Sequence, residues 1–126
     1  MRFRGEHHVG RRIRPDWWVV DKNSGNRRLS TAAFEDSSDS PMSATHGEGA
    51  LARGRTQQDF VAPYPRFGLA AINIGFLRVL QPPQGIHAEP TAEDPDHVFV
   101  FGEKPRGLRK RICDHAALLI HPTIEI

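Results

Sequence analysis

The longest apolar stretch of the chain, FGLAAINIGFLRVL from Phe67 to Leu80, is interrupted by Gly75 and ends in the breaker QPPQG. It falls well short of the roughly 20 residues that cross a bilayer, so no membrane span is expected. It also excludes a long helix. Leu69 to Ile74 predicts a strand, Gly75 a change of direction, and FLRVL a helical turn before the prolines. The 10 prolines and 11 glycines spread similar interruptions along the chain, which predicts short elements joined by turns. At 126 residues, one core and one domain are expected, burying about two-thirds of the surface that the unfolded chain exposes.

The remaining elements follow the same logic. DWWVVD, Asp16 to Asp21, joins aromatic and β-branched residues ahead of the turn-rich KNSGN and predicts a short buried strand. DPDHVFVFGEK predicts a further strand, entered through a turn and closed by a glycine. Pro105 then opens a helix reaching to about Ala117, with Leu108, Ile112, Cys113, Ala116 and Leu119 recurring at three- and four-residue intervals and Arg106, Arg109, Lys110 and Arg111 opposite. LLIHP predicts a last short strand. Residues 1–15, rich in Arg, His and Gly, show no period of 2 or 3.6 and predict a loose basic arm. Residues 35–64 are poor in large apolar side chains and predict a long polar excursion with at most a helical turn. The expectation is a small α+β domain over residues 16–126, with a mainly antiparallel or mixed sheet and one C-terminal amphipathic helix.

Charge and cysteine content narrow the chemistry. Seventeen Lys and Arg face 15 Asp and Glu, too small an excess to argue by itself for nucleic acid. The single cysteine, Cys113, forms no internal disulfide and suits a cytoplasmic setting, where it reads as a small buried apolar residue. Seven histidines raise the question of a metal, but no H-E-x-x-H and no H-x-H pair occurs, so local spacing points to no metal and no cofactor. No phosphate loop, nucleophile elbow or dinucleotide fingerprint is present.

Three groups of residues remain as candidates. In NRRLSTAAF, Arg28 and Ser30 form part of a basophilic phosphosite, an anion-binding corner, or the cap of a helical turn, and the capping preference of serine favours the last. In DPDH, Asp96 and His97 are an acid/base pair at a strand entrance, or Asp94 and its neighbours are turn chemistry. His97 alternates with Phe99 and Phe101, which places it beside two expected core aromatics. Arg106, Arg109, Lys110 and Arg111 offer a cationic helix face for a protein partner or a phosphate backbone. The aromatics that would stack on bases fall in runs that read as core, which favours a protein partner or plain solvation of the helix over nucleic acid.

RRLSTAAF, the following DSPMS, the FGLAAINIGF and DPDHVFVFG strands and the tail RGLRKRICDHAALLIHP together resemble a group of small uncharacterised bacterial proteins, over roughly Asp16 to Pro122. The resemblance implies a bacterial or phage origin and one compact domain. It transfers no catalytic residue. The function expected from sequence is an accessory or binding protein that contacts a protein partner through the polar excursion and the basic helix. The alternatives are a sequence-tolerant nucleic-acid binder using that helix, and a small hydrolase or nuclease using Asp96 and His97.

Overall fold

A computed structural model describes residues 3–124. Its main sheet has six strands in the order β6-β7-β4-β1-β5-β8, and every neighbouring pair is antiparallel. The strands are β1 His8–Ile13, β4 Met42–His46, β5 Gly68–Asn73, β6 Gly85–Ala88, β7 His97–Phe101 and β8 Ala117–Ile120. A separate hairpin pairs β2 Trp18–Val20 with β3 Arg27–Leu29. The helices are α1 Gly47–Ala52, α2 Gln57–Val61, α3 Ile74–Arg78 and α4 Arg106–His115, and a 3-10 turn covers Thr31–Phe34. The protein is thus α+β, as its sequence implies. Among the described residues no helix is long and apolar enough to cross a membrane.

One face of the sheet carries the main core. Val9, Ile13, Ala70, Ile72, Met42, Ala44, Val98 and Val100 pack with Phe34, Leu77, Leu80, Leu108 and Ile112. Leu108 and Ile112 stand four apart on α4, one turn of a helix, and both are buried. Each contributes about 1.5–3 kcal/mol by leaving water. A smaller cluster of Ala50, Phe60 and Leu69 holds α1 and α2 on the other face.

Several expectations are corrected. The expected N-terminal arm supplies β1, which lies between β4 and β5 in the sheet. Its arginines had hidden the strand because they break the apolar alternation. In the fold Arg11 lies across the sheet, donating to the carbonyls of Ala33 and Ser43, and burial pushes its pKa down to about 10. Arg12 donates to the carbonyl of Phe60 and lies over the Tyr64 ring. The polar excursion likewise contains β4, α1 and α2. On β7 the core side chains are Val98 and Val100, because they stand opposite Ala44 and Met42. His97 and Phe99 are half-buried, and Phe101 is exposed on the other face. Trp17, Trp18 and Cys113 sit half-buried at the margin of the core.

Candidate functional site

Antiparallel pairing brings the starts of β1 and β7 to the same end of the sheet as the ends of β4 and β5. The registers Val9↔His46, His8↔Asn73 and Thr45↔His97 define that end. It gathers polar residues that lie far apart in sequence.

His7, His46 and Glu48 lie at its centre, with one donor atom from each all within 4.8 Å of one another. The two imidazoles approach most closely, His7 Nδ1 to His46 Nε2 at 2.9 Å, while Glu48 Oε1 lies 4.0 Å from His46 Nε2. Each is held from behind. The His7 N–H donates to the Arg4 carbonyl at 3.0 Å, the His46 N–H donates to the Asp96 carbonyl at 2.8 Å, and the Phe3 ring meets His46 edge-on. Glu48 lies in the first turn of α1 and accepts from the His8 N–H at 2.7 Å and from His8 Nδ1 at 3.1 Å.

Protonation follows from these contacts. Burial, and then the neighbouring His7, push the His46 pKa below its ordinary value, which favours a neutral ring with a lone pair to offer. Burial pushes the Glu48 carboxyl up, but the hydrogen bonds from His8 outweigh it and hold the group ionised. His7 Nδ1 accepts the Arg4 N–H at 3.3 Å, so the proton between the two rings belongs to His46 Nε2. A cation taking that place requires His46 to carry its proton on Nδ1. Asp96 lies on that side of the ring. A Cβ added at Gly49 would stand 2.6 Å from Asp96 Oδ1 and 2.8 Å from His46 Nδ1, so glycine is needed for this close approach.

A cleft of about 330 Å³ adjoins the cluster, lined in part by Phe3, His46, Arg53, Asp96 and His97. Arg53 Nε donates to Asp96 Oδ1 at 3.1 Å. Asp96 Oδ2 is buried and has no hydrogen-bond partner among the described residues, with Arg55 Nη1 3.8 Å away. Two residues before Asp96, the buried Asp94 accepts from the Thr45 hydroxyl and from Arg55 Nη1 at 2.6 Å each, and from the Asp96 N–H at 3.0 Å.

Asp96 and His97 therefore border one cleft, together with His46 and Arg53, but they are not bonded to each other. His97 Nδ1 is engaged by the Glu89 carbonyl at 2.7 Å, and Asp96 faces the arginines. Arg28 and Ser30 do not form an anion corner: Arg28 pairs with Asp21 at 3.2 Å within the hairpin, and Ser30 Oγ accepts from the Ala32 N–H as an N-cap. The basic helix is partly committed. Arg109 bonds Glu35 at 2.7 Å and is only 17% exposed, whereas Arg106, Lys110 and Arg111 remain exposed. Sequence reasoning missed His7, His46, Glu48 and Arg53, since the two histidines are 39 residues apart. The one local signal was H-G-E at residues 46–48, a histidine closing a strand two positions before a first-turn glutamate.

The fold and this cluster define an antiparallel α+β domain with a two-histidine, one-carboxylate constellation at one end of its sheet. No protein-family model, no curated protein and no solved structure matches the chain.

Proposed function

We propose that the protein binds a divalent transition-metal ion of the zinc type through His7 Nδ1, His46 Nε2 and Glu48, with a coordination position left open for a ligand. The observation that carries this reading is the convergence of three donor atoms, from a turn, a strand end and a helix start, within 4.8 Å. Two imidazoles and a carboxylate suit zinc, cobalt or iron, and three protein ligands are the number found where a metal keeps a position for chemistry. Asp96 lies on the Nδ1 side of His46 without a hydrogen bond to the ring, so a shift of that carboxylate on metal binding would be needed to fix the tautomer of a ligating histidine. Such a metal supplies a Lewis acid and an activated water. Arg53, Asp96 and His97 border the cleft on the other side of His46.

The test is calorimetric titration of zinc, with cobalt(II) as a spectroscopic substitute. One saturating site is expected, weakened at least tenfold in His46→Ala and in Glu48→Gln. His7→Ala lies outside the sheet and guards against loss through misfolding. An absence of saturable binding, or affinity unchanged in all three variants, overturns the reading.

A second reading, an accessory protein of the cytoplasm that contacts a protein or nucleic-acid partner through α4, is supported by the exposure of Arg106, Lys110 and Arg111. The engagement of Arg109 with Glu35 reduces that surface.

A further inference from the structure

On the sheet face away from the main core, Gly10, Ala71 and Ala117 stand in register across β1, β5 and β8. The Phe60 ring closes over Gly10, within 3.1 Å of where a Cβ would stand, and the small side chains of Ala71 and Ala117 beside it leave a depression that α1 and α2 cover only in part. A cavity of about 450 Å³ remains, with apolar walls from Leu51, Phe60, Leu69 and Leu119 and a polar end that includes His8, Glu48 and His115. Leu51 is 65% exposed and Leu119 44%, so folding alone leaves apolar surface in water around a concave space. Cavities of this size, apolar with a few polar groups at one end, are the usual form of small-molecule sites.

The polar end indicates what the head of such a molecule must be. His115 is oriented by stacking on Phe76, with ring centroids 3.7 Å apart and planes 1° apart. Its Nε2 accepts the Asn73 N–H at 3.3 Å, so the ring proton sits on Nδ1, a donor with no partner among the described residues. Glu48 belongs to both the cavity and the donor cluster, whereas His7 and His46 do not line the cavity, so a metal held there would reach this end only beside the Glu48 carboxylate. An N–H donor and a cation with an open position together call for an oxygen anion.

We infer that the cavity receives a small organic acid, its apolar body between Leu51, Phe60 and Leu119 and its carboxylate directed to His115 and to the metal. The carboxylate part of this inference rests on the proposed metal site, and the apolar part does not. Titration of hexanoate into the zinc-loaded protein tests both, with acetate, hexanol and hexylamine as comparisons. Hexanoate is expected to bind at least tenfold more tightly than each of the others. Ala71→Phe, which fills the floor of the cavity, and Ala117→Leu, a milder change on an edge strand, are expected to weaken hexanoate at least tenfold while zinc affinity stays within twofold. Equal binding of acetate and hexanoate, or hexanoate binding unaffected by both substitutions, overturns the cavity assignment. Tighter binding of hexylamine overturns the acid class in favour of a cation on Glu48. Should zinc fail to bind, hexanoate binding to the metal-free protein that is lost in Ala71→Phe upholds the cavity and overturns the metal-directed head.

Discussion

Asp94 joins three parts of the molecule through one carboxylate. Replacing it with alanine removes at once the acceptor of the Thr45 hydroxyl, the Asp96 N–H and Arg55. Asp94 is 6% exposed and Thr45 4%, so water does not readily replace the lost acceptor. Each buried donor left unpaired costs about 1–3 kcal/mol, and breaking one side of a buried ion pair costs about 3–5 kcal/mol. The Arg55 side chain is 20% exposed and partly regains solvent, which places the sum for Asp94→Ala at about 3–5 kcal/mol. Thr45→Val removes a single bond and is expected to cost about 1–2 kcal/mol. Both substitutions delete the same hydroxyl–carboxylate bond, so the double variant should be less destabilised than the sum, by about 1 kcal/mol. Urea unfolding followed by tryptophan fluorescence measures all four proteins. A loss under about 1 kcal/mol for Asp94→Ala, or strict additivity in the cycle, refutes the account of this carboxylate as a buried junction.

Acid should weaken the same junction. Burial pushes the Asp94 carboxyl up, but hydrogen bonds from Thr45 and Arg55 outweigh it, so the folded pKa lies below the ordinary 3.8. The unfolded chain then takes up this proton first as pH falls. The stabilisation is complete above the ordinary value and is lost as pH drops through the folded one. The urea midpoint of the unaltered protein should therefore fall more steeply below about pH 4 than that of Asp94→Asn, and parallel profiles would sink the assignment. Gly68→Ala makes a separate test of the β5–β8 pairing. The new Cβ would stand 2.5 Å from the Ile120 carbonyl oxygen and 2.7 Å from Pro122 Cδ, and the carbonyl has no room to yield within a sheet. A loss of about 1–3 kcal/mol is expected in thermal unfolding, and an unchanged midpoint would show that β8 is loosely attached.

Elements with a local signature were legible in the sequence. The Val and Phe run gave β7, the three- and four-residue spacing among Leu108, Ile112, Cys113 and Ala116 gave α4, and Gly75 marked the passage from β5 into α3. Ser30 was legible as a cap because its hydroxyl serves a neighbour two residues away. β1 and β4 were not legible. HVGRRI disguises its pattern because Arg11 and Arg12 satisfy carbonyls across the sheet, and MSATH contains one large apolar residue. The candidate site depends on those two strands, so it was hidden with them. Asp96 and His97 were found because they adjoin a legible strand. His7, His46 and Glu48 needed the pairing of Val9 with His46, which no local spacing announces.

The sheet ends on both sides in strands of four residues, β6 and β8, each paired on one side only. Pro83 lies shortly before β6 and Pro90 shortly after it, while Pro122 follows β8. A proline lacks the N–H that would extend a ladder, so a neighbouring molecule finds only a brief stretch of free backbone at either border. The arrangement discourages pairing of copies edge to edge through their sheets.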